Sequence, residues 1–269
     1  MKGVKNQQPD YFETYLDYSD APSVVLVRSV ELKHFPREFI NPPVLDLGCG
    51  DGFFTEILGL RGIYGCDIDE NIINEARRKK DVYSSTVVGD GKNLQVIFKK
   101  NFFQTIISNC VMEHIDGIDE TLDSISASLK KGGHLIFSVP SDNLSDFYFS
   151  KLIFRKIKLR KYGEKILANY NKRQRHINIF GLDDWKLKLA KAGLKINKSF
   201  FLFNKNEYAM ITFMDSFCGS YPYKLNTFFR KITPRILRKR LWRLFLKPIY
   251  INSKPLDNGG ELIIVAEKL

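Results

Sequence analysis

Residues 44–54 read VLDLGCGDGFF, an apolar run that breaks into Asp46, Gly48, Cys49, Gly50 and Gly52 before a second apolar pair. A chain that leaves a buried strand and turns sharply toward a ligand needs residues without a Cβ. They allow positive φ and let backbone approach the ligand closely. A dinucleotide fingerprint, GxGxxG, would place glycine at position 53, and this chain has Phe53 there. The loop therefore points to a ligand at a strand end and argues against a dinucleotide.

From this loop outward, short apolar runs alternate with amphipathic stretches, the pattern of βαβ units and a parallel sheet. Phe53 to Leu60 has helical apolar spacing, Gly62 to Cys66 is a second strand, and Glu70 to Lys79 a second helix. Val87-Val88 makes a short third strand and Thr105 to Ser108 a fourth. Asp119 to Lys130 is expected to be a helix stopped by Gly132-Gly133, and His134 to Val139 a fifth strand ended by Pro140. The alternation breaks at residues 143–180 and resumes with a helix over Leu182 to Ala192. Strands are expected at Lys195 to Phe203, Glu207 to Phe213 and Glu261 to Glu267, and a helix at Ser19 to His34. The fold class is α/β, a doubly wound sheet with helical insertions. The chain reads as one domain of 269 residues, with an N-terminal cap (1–42), a core (43–140, 181–213 and 259–269) and insertions at 143–180 and 214–258.

Two further strand ends carry acids. Asp67 lies about twenty positions beyond the glycine loop, where a carboxylate can accept from both hydroxyls of a ribose. Asp90, in Val88-Gly89-Asp90-Gly91, is placed to accept from an exocyclic amine. Either acid alone is an ordinary turn or cap residue; three at consecutive strand ends imply a nucleoside.

The stretches VLDLGCGDG (44–52), YGCDIDENIINEAR (64–77), VVGDGKNL (87–94), IISNCVMEHI (106–115) and LKKGGHLIFSVP (129–140) resemble, in order and spacing, the successive motifs of class I S-adenosylmethionine-dependent methyltransferases. The resemblance implies a seven-stranded, mostly parallel sheet with the last strand antiparallel. It implies that Asp46 and the loop of Gly48, Cys49, Gly50 and Gly52 hold the methionine part of S-adenosyl-L-methionine, with Asn109 contributing there. Asp67 would take the ribose, Ile68 would pack on adenine, and Asp90 with Gly91 would hold the adenine edge; S-adenosyl-L-homocysteine would be the product. A base is needed only where the acceptor must lose a proton, and His114 and His176 are the candidates, each with structural hydrogen bonding as its plainer explanation. No metal site is expected.

The net charge of +12 is local: residues 143–180 and 210–258 each hold ten Lys or Arg against two acids, so the remainder of the chain is net negative. Within 235–247, RILRKRLWRLFLK, Leu237, Leu241, Leu244 and Phe245 fall on one helical face, with Lys239, Arg240, Arg243 and Lys247 assigned to the other. With Phe228-Phe229-Arg230-Lys231 this reads as a surface for an anionic membrane, Trp242 at its boundary, or as an ordinary helix packed on the core. The acceptor expected is a small molecule, glycan or lipid-linked compound methylated on oxygen. RNA is the alternative partner, although SerAsnCysVal at 108–111 departs from the Asn/Asp-Pro-Pro-aromatic motif of amino-methylating nucleic-acid enzymes. A non-catalytic S-adenosylmethionine-binding partner protein is the other. Four scattered cysteines, no export signal and no long apolar run suggest a cytoplasmic protein, peripheral on the membrane if the basic helix docks there.

Overall fold

The structure, a computed structural model, describes residues 9–156, 160–218 and 232–269. It divides into two compact units, one of residues 35–209 and 255–269, the other of residues 1–34 and 210–254.

The larger unit is built on seven strands: β1 (Val44–Leu47), β2 (Ile63–Asp67), β3 (Tyr83–Val88), β4 (Phe103–Asn109), β5 (Leu129–Pro140), β6 (Leu194–Leu202) and β7 (Glu261–Lys268). They lie in the order β3-β2-β1-β4-β5-β7-β6. The pairs β1–β2, β1–β4, β2–β3 and β4–β5 are parallel, and β7 runs antiparallel to both β5 and β6. This is the expected doubly wound sheet with its reversed last strand. Every residue of β1 is buried, as a central parallel strand covered on both faces must be. Phe103, Phe137, Trp185, Leu122 and Ile264 lie in one apolar core, with the Phe137 and Trp185 rings edge to face at 5.0 Å.

Three expectations are corrected. β3 is six residues rather than two; its Ser-Ser-Thr segment is at the sheet edge, where half-exposed positions need no apolar signal. β5 begins at Leu129, ahead of the glycines, and its register with β4 jumps between Phe103 and Thr105, so Gly132-Gly133 sit in an irregularity of the strand rather than at a helix stop. Glu207 to Phe213 is helical, part of Lys205–Cys218. A reciprocal cap starts that helix: Asn204 Oδ1 accepts from the Asn206 and Glu207 N–H groups, and Glu207 Oε2 accepts from the Asn204 N–H. Tyr208, Ile211 and Thr212 are buried at helical spacing.

The first insertion forms helices at Leu144–Phe147, Phe149–Lys156 and Arg160–Gln174. Cys49, Cys66 and Cys110 carry reduced thiols, the first two buried.

The smaller unit contains α1 (Tyr11–Tyr18), α2 (Pro22–His34), α12 (Arg235–Phe245) and α13 (Lys247–Asn252), the described α-helices between α2 and α12 in the chain being α3 (Phe53–Leu58), α4 (Glu70–Arg77), α5 (Leu94–Ile97), α6 (Ile118–Ser128), α7 (Leu144–Phe147), α8 (Phe149–Lys156), α9 (Arg160–Gln174), α10 (Leu182–Lys191) and α11 (Lys205–Cys218). The basic residues of 235–247 meet the acids of α1 and its flanks in a ladder. Lys247 pairs with Asp10 (3.0 Å) and Glu13 (2.6 Å), Arg243 with Glu13 (2.9 Å), Lys239 with Asp17 (2.5 Å), and Arg235 and Arg238 with Asp20 (3.1 and 3.0 Å). Trp242 and Leu246 lie under the ladder, buried. The basic face assigned to an anionic surface is thus largely neutralised inside the chain, and Trp242 is interior rather than at a boundary. Phe228 to Lys231 lie outside the described residues. No helix among the described residues is long and apolar enough to cross a membrane.

Candidate functional site

At the carboxyl ends of the central strands a cavity of about 410 Å³ opens, within the range of about 300–1,000 Å³ usual for small-molecule sites. Leu47 and Gly48 line it from β1, Asp67 and Ile68 from β2, Gly89 to Lys92 from the turn after β3, and Val111, His114, Ile115 and Asp116 from the turn after β4. Parallel strands that reverse order beside β1 leave such a crevice between diverging connections, which is why three sequence-distant motifs converge there.

The glycine loop packs closely at two positions. Gly48 has φ +73°, and a Cβ there would lie 2.4 Å from Val111 Cγ2. Gly52 has φ +75°, and a Cβ there would meet the Tyr83 ring at 2.6 Å. The Gly48 and Cys49 N–H groups donate to the Cys66 carbonyl at 2.7 and 3.1 Å, tying the loop to the end of β2.

Beneath the loop lies Asp46, buried, its Oδ2 accepting from Thr55 Oγ1 at 2.5 Å and from the Tyr83 hydroxyl at 2.6 Å. Burial raises its pKa to about 6, against those hydrogen bonds. The loop cysteine, Cys49, is also buried, and desolvation followed by the charges of Asp46 and Asp67 pushes its thiol far above the ordinary range. These residues support the loop from behind.

Asp67 is the carboxylate on the wall. Its Oδ2 accepts from the Gly50 N–H (2.8 Å) and its Oδ1 from the Asp69 N–H (3.0 Å). Each ionised oxygen has a second lone pair, so a pair of adjacent hydroxyls can still be received. Ile68 beside it is 72% exposed, an apolar platform for a flat ring. Asp90 caps the turn after β3 by accepting from the Lys92 N–H at 2.9 Å, and Gly91 is buried next to it. Asn109 donates its amide to Ser138 Oγ at 2.5 Å and is held against β5. The geometry suits a nucleoside with a polar tail: a hydroxyl acceptor, an apolar shelf and a glycine wall face one space.

The two histidines separate. His114 is on the wall, 40% of its side chain exposed, with Nδ1 3.3 Å from the Arg175 carbonyl and Nε2 3.6 Å from Glu113 Oε1. His176 stacks on it from outside the cavity lining, ring centroids 5.5 Å apart, with Nδ1 3.4 Å from Asn171 Oδ1. Burial, then the charge of His114, lowers the His176 pKa to about 4.

Sequence reasoning passed over Asn178. Its buried amide donates to the Met112 carbonyl at 2.8 Å and the Ile115 carbonyl at 2.6 Å, and the Ile177 and Asn178 N–H groups both donate to the Glu113 carbonyl. One residue therefore fastens the turn that carries His114 and Ile115. The signal available was an asparagine within RHINIF, two positions past His176.

Comparison with known proteins bears on the family and the fold. A family model described as a methyltransferase domain matches residues 25–199. A ubiquinone biosynthesis O-methyltransferase of Coxiella burnetii is 25% identical over 130 residues, 46% of this chain and 56% of that protein. A malonyl-[acyl-carrier protein] O-methyltransferase of Priestia megaterium is 24% identical over 143 residues, 51% of this chain and 50% of that protein. The chain thus spans about half the length of the relatives it matches. A S-adenosylmethionine-dependent methyltransferase from Archaeoglobus fulgidus superposes with a TM-score of 0.53 at 17% identity, over 97% of this chain and all of that one. Another from Thermotoga maritima gives 0.54 at 16%, over 91% and 90%. At these identities the two structures speak for the fold alone. The family match covers well over half of the chain and contains the whole cavity wall, so the chain belongs to the methyltransferase-domain family and has the fold of the two S-adenosylmethionine-dependent methyltransferases.

Proposed function

We propose that the protein transfers the methyl group of S-adenosylmethionine to an oxygen of a small or lipid-linked acceptor, with His114 as the base. The observation that carries this reading is the place of His114 on the cavity wall, 40% of its side chain exposed, with Nδ1 3.3 Å from the Arg175 carbonyl. A carbonyl oxygen only accepts, so a neutral His114 that donates to the Arg175 carbonyl carries its proton on Nδ1 and accepts at Nε2. The cofactor, when bound, supplies an activated sulfonium methyl and a neutral thioether leaving group. The residues do the rest: Asp67 and Ile68 orient the nucleoside, the Gly48 wall fixes the tail, and Nε2 takes the proton from the acceptor hydroxyl. The Glu113 carboxylate, 3.6 Å away, offsets the charge so formed. Alignment of donor and acceptor supplies much of the acceleration.

Oxygen as the acceptor atom is supported by the named relatives, which are O-methyltransferases acting in ubiquinone biosynthesis and on malonyl-acyl carrier protein. RNA is disfavoured by the ladder of α1 and α12, which occupies five of the basic residues an RNA backbone would need.

The experiment supplies purified protein with methyl-labelled S-adenosylmethionine and cell extract, and follows label into lipid, small-molecule and RNA fractions. Label in the lipid or small-molecule fraction, base-stable as an ether, is expected; base-labile ester label would mean a carboxylate acceptor and remove His114 as the base. Label in RNA alone would replace the acceptor reading, and calorimetric cofactor binding without transfer to any fraction would favour a non-catalytic partner. Asp67→Ala should weaken cofactor binding by about 10- to 100-fold, since charge-assisted hydrogen bonds contribute about 1.5–3 kcal/mol each. An unchanged affinity would remove the ribose assignment.

A further inference from the structure

The smaller unit turns the amphipathic helix over relative to its expected use. With the ladder and Trp242 on one half of α12, its other half faces solvent. Ile236 is 71% exposed, Leu237 47%, Leu244 66% and Phe245 53%, and Ile251 on α13 is 60% exposed. At 100° per residue, positions 236, 237, 244 and 245 fall within one half-turn of the helix, and Arg240 falls inside that arc. Arg240 is exposed and takes no part in the ladder. Isolated exposed aliphatics are normal, but a contiguous apolar half-helix is not a surface a solvated monomer needs.

We infer that this half of α12, continued by Ile251, is a docking surface for a phospholipid bilayer, inserted through its apolar side chains with Arg240 at the phosphate level. The occupant follows from charge. Residues 235–252 contain no acid, so a two-fold pairing through this face would bring Arg240 toward its own copy without a counter-ion, a costly arrangement. A lipid interface offers acyl chains to the leucines, isoleucines and phenylalanine and phosphate to the guanidinium in one layer. The ladder is what makes this possible, because it keeps the basic side of the helix satisfied while the apolar side leaves water. Attachment is therefore apolar in origin, with charge contributing through Arg240. The surface is argued from the smaller unit alone, so it can fail while methyl transfer stands.

The test is co-sedimentation of the full chain with vesicles of phosphatidylcholine, with and without phosphatidylglycerol, at low and high salt. Binding to both compositions is expected, stronger with phosphatidylglycerol and largely retained at high salt, where surface charge is screened. The double substitution Leu244→Glu with Phe245→Glu should lower the partition coefficient at least about tenfold, because it removes two insertable side chains and adds anions. Leu237→Gln should lower it by less. Both variants should keep the wild-type circular dichroism and melting temperature, since the replaced side chains are exposed. No sedimentation with either vesicle would overturn the inference. So would binding that salt abolishes and the double substitution leaves unchanged, which would return the role to the basic residues. A wild-type dimer that the double substitution splits, with no vesicle binding, would assign the face to a second copy instead.

Discussion

Asn178→Ala is the substitution that best separates a positioning role from a packing role. It deletes two donors, to the Met112 carbonyl at 2.8 Å and the Ile115 carbonyl at 2.6 Å, while the backbone bonds from Ile177 and Asn178 to the Glu113 carbonyl remain. The Met112 carbonyl keeps a long bond from the Ile115 N–H at 3.4 Å, so the Ile115 carbonyl bears most of the loss. Two net hydrogen bonds at about 1 kcal/mol each, plus a partial penalty for the part-buried Ile115 carbonyl left unpaired, give roughly 2–4 kcal/mol. For a protein of this size that lowers the melting temperature by about 4–12 °C. The turn so released carries Val111, His114, Ile115 and Asp116, one side of the cavity. If about 1.4 kcal/mol of the loss is taken there, cofactor affinity falls about tenfold. Calorimetry of cofactor binding, beside thermal melts, reads both quantities. Asn178→Asp should be worse at neutral pH, because it aims an anion at two carbonyls. A lowered melting temperature with unchanged cofactor affinity would refute the positioning argument, and no change in either would refute the clamp itself.

Two further predictions concern pH. Asp46 has its folded pKa raised from 3.8 to about 6 by burial, so the folded state holds the proton more tightly than the unfolded chain does. The sign is then fixed: this residue costs nothing below pH 4, and its stability contribution falls as pH rises from about 4 to 6, by about 3 kcal/mol. Asp46→Asn should flatten that limb in urea titrations of the cofactor-free protein, and an unaltered limb would mean that Asp46 is ionised without penalty. His176 has the opposite linkage. With its folded pKa lowered to about 4, it contributes stability above the unfolded value near 6.5 that is lost as pH falls through 6.5 toward 4. Nuclear magnetic resonance should show one histidine ring that stays neutral at pH 5.5 and disappears in His176→Gln; a midpoint near 6.5 for that ring would contradict its burial.

How much was legible in the sequence depends on the range over which each feature is determined. That the ends of β1, β2 and β3 meet at one cavity, with Gly48, Asp67, Ile68, Asp90 and Gly91 on its wall, could be anticipated because tight turns and strand ends are local constraints and alternation announces the topology that joins them. The helix at Lys205–Cys218 was also local, but its Tyr, Ile, Thr and Phe residues favour strands, and that composition hid the Asn204–Glu207 cap. The partition between His114 and His176 was not readable, since it rests on which ring the Arg160–Gln174 helix and the turn after it cover. The fate of the basic helix was least readable. Its periodicity defines two faces, yet nothing within thirteen residues says that Asp10, Glu13, Asp17 and Asp20 satisfy one of them. Arg240 shows the same limit on a finer scale: it was grouped with the basic face and stands in the apolar one.

The ladder also has a bearing on the order in which the chain assembles. Asp20 and Arg235 are 215 positions apart, and the other rungs are similarly distant. During synthesis α1 and α2 emerge well ahead of α12, with Phe12, Leu16, Val25 and Leu26, all buried in the finished unit, awaiting partners made much later. At about 5–20 residues per second that interval is tens of seconds, during which an apolar, acidic helix pair is open to aggregation or to a chaperone. The sheet unit, whose first five strands are contiguous in sequence, can form many of its contacts within that interval. The rungs of the ladder can form only once Arg235 to Lys247 have been made, and the exposed half of α12 is set apart from its paired half only then.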